Sequence, residues 1–256
     1  MTKILQKPDG SVAFDITLKN QEVVQEYQAV LKKVASTAQI KGFRKGKAPL
    51  AMVEAQSDQS RLYGEVLDHL LSPAYSKVIH EHKLAPLIEP KVTPKSMKAG
   101  DDWVMSVEVA VAPEVVLGDY EKYIKAAKIK HTKDHQPEKK AKQTKEQLEQ
   151  EQKAHDLNII FDALLEHAKL EIAPLLIEEE TKSALTRLAK QLESLKLSIE
   201  DYTNSLKKTT TELVAEYKKT AELNLKLEFI LRTITKDKKF EGKETRRQTL
   251  DYLTAL

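Results

Sequence analysis

The stretch KGFRKGKAPL, which starts at position 41, combines side chains that bind anions with backbone that can turn sharply. Gly42 and Gly46 are two of only seven glycines in the chain, and the residues between them are Phe43, Arg44 and Lys45. Glycine adopts positive φ without strain, so this pair can present the intervening side chains outward. Cations there would bind phosphate or carboxylate, and an exposed phenylalanine would fit an apolar notch. The spacing is equally consistent with Phe43 tucked beneath its own hairpin.

The same stretch lacks the spacing of a phosphate-binding loop, which has four residues between its first glycine and the Gly-Lys pair and then serine or threonine. Here three residues intervene and an alanine follows the lysine. The sequence contains no GxSxG or HExxH motif and no cysteine nucleophile. His80 and His82 would point to different sides of a helix, and His131 and His135 lie close to a proline. We therefore predict no catalytic residues, no metal and no cofactor.

Charge is unevenly distributed in this chain, although its net charge is only +3. A positive region on a near-neutral protein predicts an anionic partner, but a solvated hairpin with a charge bias would look the same. No Asp or Glu occurs between Tyr27 and Val53, a region that holds six basic residues: Lys32, Lys33, Lys41, Arg44, Lys45 and Lys47.

The compartment is indicated by what the sequence lacks. Without cysteine, neither disulfides nor thiolate metal sites can form, which fits a reducing compartment. The N-terminal MTKILQKPDGSVAF has no apolar segment typical of a signal peptide, and no run approaches the ~18 apolar residues of a membrane span. We expect a cytoplasmic protein that does not bind membranes.

Residues 1–112 have the pattern of an α+β domain. Apolar residues alternate from Val12 to Leu18 and from Trp103 to Val111, which predicts two half-buried strands able to pair. Asn20 is a suitable N-cap for the helical pattern that follows the first strand. The proline-rich residues 85–94 predict an edge strand or extended loop. The glycine-flanked stretch then becomes the tip of a helix-loop-helix that projects from a small antiparallel sheet.

The rest of the chain divides into two regions. Residues 113–157 are rich in charge and poor in apolar side chains, which predicts a charged linker or extended helix. Helical periodicity predicts an all-α C-terminal domain over residues 158–256, with Pro174 in the first turn of one helix. Leu223 and Phe229 fall off the main apolar faces of their helix and so need further cover. The predicted molecule is elongated.

The segment GFRKGKAP resembles the G-F-R-x-G-[KR]-x-P signature of the trigger factor family of bacterial ribosome-associated chaperones. The similarity extends to LYGEVLDHLL (Leu62–Leu71), to Asp101–Tyr120 and to Ala163–Glu180. The resemblance implies that residues 1–112 bind the ribosome through the loop, on a ribosomal protein and nearby RNA beside the nascent-chain exit. By the same resemblance, the ribosome-binding residues are Gly42, Phe43, Arg44, Lys45, Gly46 and Lys47.

The resemblance also implies an ATP-independent holdase whose helical domain forms a concave surface for unfolded and nascent polypeptides. Burial of client apolar area, at ~25 cal/mol per Å², suffices for weak and repeated binding. Leu223 and Phe229 are candidate client contacts. Family members usually carry an FKBP-type prolyl isomerase domain, but here Leu117 leads almost directly into the charged region. We therefore expect no isomerase activity, and weak self-association stays open.

Two other functions remain open on the sequence alone. The first is a peptidyl-prolyl isomerase, as family membership would suggest. The second is a basic nucleic-acid or scaffold-binding protein, which would bind with a steep salt dependence and would be indifferent to Phe43→Ala.

Overall fold

The computed structural model of the protein describes residues 3–98, 100–134 and 145–256. These residues form two compact units. Unit 1 contains the described residues up to position 6 and residues 12–111, and unit 2 contains residues 7–11 and those that follow position 111. Part of the region predicted to be a charged linker or extended helix lies outside the described residues. His135, for which the sequence predicted no role in metal binding, lies there too.

Unit 1 is built on an antiparallel sheet. Its strands are β1 (Ile4–Gln6), β2 (Ser11–Leu18), β3 (Lys91–Ser96) and β4 (Trp103–Ala110), in the order β1-β2-β4-β3. The two strands predicted from alternation are thus the central neighbours of the sheet. The proline-rich segment leads into the edge strand β3, where Pro94 removes a donor that a central strand would need.

The helices of unit 1 cover one face of this sheet. They are α1 (Asn20–Thr37), α2 (Leu50–Gln56) and α3 (Gln59–Glu81). Alternate residues of β2 and β4 are buried because successive strand side chains point to opposite faces. Phe14 stacks on Tyr75 of α3 at a centroid separation of 6.4 Å, and Trp103 meets Tyr63 edge to face at 5.6 Å. These aromatic pairs join the sheet to the longest helix of the unit.

Helix α1 begins at Asn20, but its cap differs from the sequence prediction. Lys19 occupies the N-cap position, and its side chain satisfies none of the free amides of the first turn. The Asn20 amide instead donates to Asp102 Oδ1 at 2.9 Å, and Lys19 Nζ donates to Asp102 Oδ2 at 2.7 Å. Sequence periodicity could not predict this cap, because Asp102 precedes β4 and lies 82 positions along the chain from Asn20.

Unit 2 is helical. Its helices are α4 (Tyr120–Asp134), α5 (Lys145–His167), α6 (Pro174–Ser194), α7 (Ile199–Ser205), α8 (Thr210–Asp237) and α9 (Thr245–Ala255). The predicted Pro174 stands in the first turn of α6. One core joins α4, α5, α8 and α9, and a second cluster joins α6 to α8. Within the described residues, no helix is long and apolar enough to cross a membrane.

The start of the predicted charged linker is packed into unit 2. Tyr120 and Ile124 of α4 are buried in its core, one helical turn apart. Glu121 Oε1 accepts hydrogen bonds from Lys238 Nζ at 2.8 Å and from the Tyr252 hydroxyl at 2.5 Å, and these two donors lower the pKa of Glu121. The average composition of the region did not predict this packing, because two buried residues are enough to pack a helix whose other faces are charged.

We predict that Asp102→Ala lowers the melting temperature of unit 1 at neutral pH, because the first turn of α1 loses its acceptor. Hydrogen bonds from Lys19 and from the Asn20 amide lower the pKa of Asp102 below its ordinary value of 3.8. The stability it contributes is therefore present above that pH and is lost as the pH falls through the lowered pKa. The difference between wild type and variant should vanish in strong acid.

Unfolding can be followed through the fluorescence of Trp103, the only tryptophan, which is buried in unit 1. Asp101→Ala is the matched control, since its carboxylate accepts no hydrogen bond from any described residue. Equal melting temperatures for the two variants at pH 7 would contradict the assigned role of Asp102.

Candidate functional site

The stretch between α1 and α2 is a loop built from two successive turns. The Phe43 amide donates to the carbonyl of Ile40 at 3.0 Å, and the Lys47 amide donates to the carbonyl of Arg44 at 2.9 Å. Gly42 and Gly46 occupy the third position of these turns, with φ of 91° and 73°. Positive φ at that position defines a type II turn and favours glycine. The regular spacing of the two glycines thus reflects two turns of one kind.

Gly46 also anchors the loop to the end of α1. Its amide donates to the carbonyl of Ala38 at 3.0 Å. A Cβ placed on Gly46 would lie 2.5 Å from the Ser36 carbonyl oxygen, whereas one placed on Gly42 would meet nothing within 4 Å. Gly46 is therefore required by close backbone packing as well as by φ, and Gly42 by φ alone.

The side chains between and beside the glycines face solvent. Phe43 is 39% exposed, and Arg44, Lys45 and Lys47 are exposed as well. Within the described part of the chain, the cations at 41, 44, 45 and 47 make no ion pair or side-chain hydrogen bond. The residue that is buried is Ile40, at 6% exposure, which precedes the first glycine. Burial of Ile40 holds the start of the loop against unit 1. The sequence could have indicated this, because Ile40 is the last aliphatic residue before the basic residues of the loop.

Two contacts between helices brace the hairpin that carries the loop. The Tyr27 hydroxyl donates to Glu54 Oε1 at 2.8 Å and so links α1 to α2. Burial, and secondarily this bond, raise the pKa of Tyr27 to about 12, so the hydroxyl stays a donor at neutral pH. Lys33 pairs with Glu65 at 2.6 Å, which links α1 to α3 and lowers the pKa of Glu65. Lys33 of the predicted basic region is therefore neutralised.

The braced hairpin ends in exposed cations with one exposed aromatic ring among them. This arrangement can bind an acidic surface that offers an apolar notch, and it has no group placed for bond-making chemistry. Across the described residues, no group of three or more His, Asp or Glu side chains is arranged to hold a metal ion.

In unit 2 the structure separates the two residues proposed to contact clients. Leu223 is 41% exposed on α8, whereas Phe229 is 7% exposed and belongs to the core. Phe229 therefore presents almost no surface to a partner in this structure, and client contact at this position stays a prediction. A phenylalanine off the main stripe needed cover, and neighbouring helices provide it.

A more exposed apolar group lies at the corner between α6 and α8, around the short helix α7. Helix α6 ends at Ser194, and Leu195, the residue that follows it, is 64% exposed. The corner residues are all more than 40% exposed: Leu195, Leu197, Ile199 and Leu206. Nearby, Leu185 and Val214 line a shallow groove of about 540 Å³ between α6 and α8.

The architecture described so far defines a class of protein: an α+β unit that carries a basic, glycine-anchored loop, followed by a helical unit. Comparisons with known proteins agree with it. The family model "Bacterial trigger factor protein (TF)" matches residues 1–150, and "Bacterial trigger factor protein (TF) C-terminus" matches residues 135–249. The chain belongs to the bacterial trigger factor family. The two matches overlap, so the N-terminal and C-terminal family regions adjoin here without an intervening domain.

Curated relatives align with less than half of the chain. A trigger factor of Listeria welshimeri is 39% identical over 111 residues, 43% of this chain and 26% of that protein. A trigger factor of Streptococcus pneumoniae is 36% identical over 104 residues, 41% of this chain and 24% of that protein. The chain thus spans about a quarter of the length of the curated relatives it matches.

A solved structure described as "Promiscuous Substrate Recognition in Folding and Assembly Activities of the Trigger Factor Chaperone" is similar in fold. The structural alignment covers 100% of this chain and 99% of that chain, with a TM-score of 0.66 and 13% sequence identity. The predicted fold class, an α+β N-terminal region followed by a helical C-terminal region, is confirmed.

We predict that Gly46→Ala and Gly42→Ala differ in their effect on the loop. Alanine at either site adopts an unfavourable positive φ, at a cost of roughly 1 kcal/mol. Only Gly46→Ala also forces the backbone away from Ser36, so the hydrogen bond to Ala38 should break. Amide hydrogen exchange should show lost protection at residues 46 and 47 in Gly46→Ala and loss confined to residue 43 in Gly42→Ala. Equal loss of protection in both variants would contradict the anchoring role of Gly46.

Proposed function

We propose that this protein is a ribosome-associated, ATP-independent chaperone that holds nascent polypeptides at the tunnel exit. Residues 1–112 would dock on the ribosome through the loop, and residues 158–256 would bind clients, with residues 113–157 between them. The observation that carries the proposal is the exposure of Phe43 among unpaired cations on a family loop fixed by Gly46. Such a protein works in the cytoplasm and needs neither a cofactor nor ATP.

The loop suits a partner made of protein and nucleic acid together. Its cations can bind ribosomal RNA phosphates or acidic side chains, and Arg44 can bind an oxyanion through two parallel hydrogen bonds. Burial of the Phe43 ring would add binding free energy that a partner made of nucleic acid alone would not supply. If a partner covered its exposed 39%, about 80 Å² of apolar surface would leave water, worth ~2 kcal/mol before the cost of association.

The corner residues suit transient binding of unfolded chains. Four partly exposed aliphatic side chains offer a client enough apolar area for weak affinity, and nothing about them requires a particular client sequence. Leu223 is also exposed and is a further candidate client contact in unit 2. Weak binding that is released without ATP is what a holdase at the tunnel exit needs.

The other functions are less well supported. The adjoining N-terminal and C-terminal family regions favour a protein without prolyl isomerase activity. A nucleic-acid or scaffold-binding protein would explain the cations of the loop but gives no role to the exposed ring of Phe43.

We expect the variant Phe43→Ala/Arg44→Ala/Lys45→Ala to lose co-sedimentation with bacterial ribosomes. Phe43→Ala alone should weaken binding by roughly tenfold, comparable to the loss of one cation, because apolar cover and charge both contribute. Under the nucleic-acid alternative, Phe43→Ala would bind like wild type.

The matched control is Lys3→Ala/Leu5→Ala/Lys7→Ala, which removes the same charge and one exposed large apolar side chain elsewhere on the chain. This control should sediment with ribosomes like wild type. If the loop variant also binds like wild type, docking through the loop is refuted.

We expect serine at all four corner residues to weaken the ability of the protein to suppress aggregation of a diluted, denatured client. The loss of partly exposed aliphatic contacts should raise the concentration needed for half-suppression by at least about tenfold. Light scattering measures this suppression, and ribosome binding should be unaffected.

A matched control replaces four exposed apolar residues of unit 1 with serine: Leu5, Val24, Leu87 and Met97. If this control loses suppression as much as the corner variant does, exposed apolar area in general binds the client, and the assignment to the corner fails.

A further inference from the structure

Helix α2, which follows the loop directly, exposes an apolar face. Val53 packs into the core at 1% exposure, whereas Leu50 and Met52 are 36% and 45% exposed. Because an α-helix turns by about 100° per residue, Ala51 and Ala55 lie opposite Val53, and both are exposed as well. The solvent side of α2 is therefore made of four apolar side chains, those of Leu50, Ala51, Met52 and Ala55.

This apolar face carries no charge. Between Lys47 and Asp58 the only charged residue is Glu54. The Glu54 carboxylate accepts a hydrogen bond from the Tyr27 hydroxyl at 2.8 Å and so is engaged with α1. A surface helix ordinarily directs charged or polar residues to solvent, so an exposed apolar face is typical of one that a partner covers.

The apolar face begins close to whatever the loop binds. Lys47 is separated from Leu50 by two residues, so at most ~10 Å of chain lies between them. The Lys47 amide donates to the Arg44 carbonyl at 2.9 Å, which keeps Lys47 beside the other loop cations. The seven residues of α2 add only ~10 Å of helix. A partner as large as a protein domain that binds the loop cations will therefore also meet α2.

A stable docking contact needs more surface than the loop provides. Specific protein interfaces take ~20–30 residues and ~800 Å² from each partner. The predicted ribosome-binding residues of the loop are the six at positions 42–47, so a partner bound there must also cover neighbouring surface. The apolar face of α2 is continuous with the loop along the chain and is stabilised by burial.

We propose that the apolar face of α2 is the second half of the docking surface and lies against an apolar patch of a ribosomal protein. The proposal rests on the proposed function and names the kind of partner at this half. An uncharged helix face cannot compensate the regularly spaced phosphates of RNA. A nascent chain changes as it emerges, whereas a ribosomal protein can present charge and an apolar patch at a fixed spacing, as the loop and α2 do.

Affinity for vacant ribosomes, which carry no nascent chain, tests the proposal. We expect Leu50→Gln/Met52→Gln to weaken binding roughly tenfold, because two apolar contacts are lost and no charge changes. Leu87→Gln/Met97→Gln is the matched control, since it replaces the same two residue types, 39% and 38% exposed, elsewhere in unit 1. The control should bind like wild type. Equal weakening by both variants would overturn the proposal.

The salt dependence of binding separates direct contact from an indirect effect on the loop. Leu50→Gln/Met52→Gln removes no charge, so its log Kd should be shifted equally at every salt concentration, with the slope of wild type. Arg44→Ala/Lys45→Ala should reduce the slope. A reduced slope in the α2 variant would show that α2 only positions the loop cations, which would refute contact with a partner.

Cross-linking identifies the partner. The chain has no cysteine, so Met52→Cys gives a unique attachment point for a benzophenone label. We expect an adduct with a ribosomal protein on vacant ribosomes. An adduct with RNA alone, or one that forms only with the nascent chain of translating ribosomes, would contradict the proposal.

The affinity results also separate this proposal from the docking function. If Leu50→Gln/Met52→Gln binds like wild type while the triple loop variant does not, the proposal for α2 fails and docking through the loop stands. If wild type itself does not bind ribosomes, both fail.

Discussion

The proposed docking loop depends on one close approach between backbone segments. Gly46 lies so near the Ser36 carbonyl that a Cβ would come within 2.5 Å of its oxygen, and its amide is bonded to Ala38. This contact folds the loop back onto the end of α1, so the side chains of the first turn face solvent.

The two units place exposed apolar surface in different settings. In unit 1, one aromatic ring stands among unpaired cations on a braced hairpin, which suits a single, well-defined acidic partner. In unit 2, several aliphatic side chains around α7 are exposed together, which suits many partners and weak affinity. In the proposed function, specific docking and promiscuous holding would follow from these two kinds of surface.

Features set by short-range pattern were predictable from the sequence. Alternation located β2 and β4, and the glycine spacing located the loop, because both are determined by residues close together in the chain. Long-range contacts were not predictable. Asp102 caps α1 from a distant segment, and Phe229 is covered by tertiary packing rather than exposed. Composition predicted a charged linker or extended helix for residues 113–157, but it could not show that Tyr120 and Ile124 place the first helix of that region in the core of unit 2.

The central claim is that the loop tip of unit 1 is the surface that meets the ribosome. Cryo-electron microscopy of the protein bound to ribosomes tests this most directly. We expect density for unit 1 at the nascent-chain exit, with the Phe43 ring against an apolar notch of a ribosomal protein and the loop cations beside carboxylate or phosphate groups. Density in which the ribosome contacts another face of unit 1, with Phe43 in solvent, would contradict it.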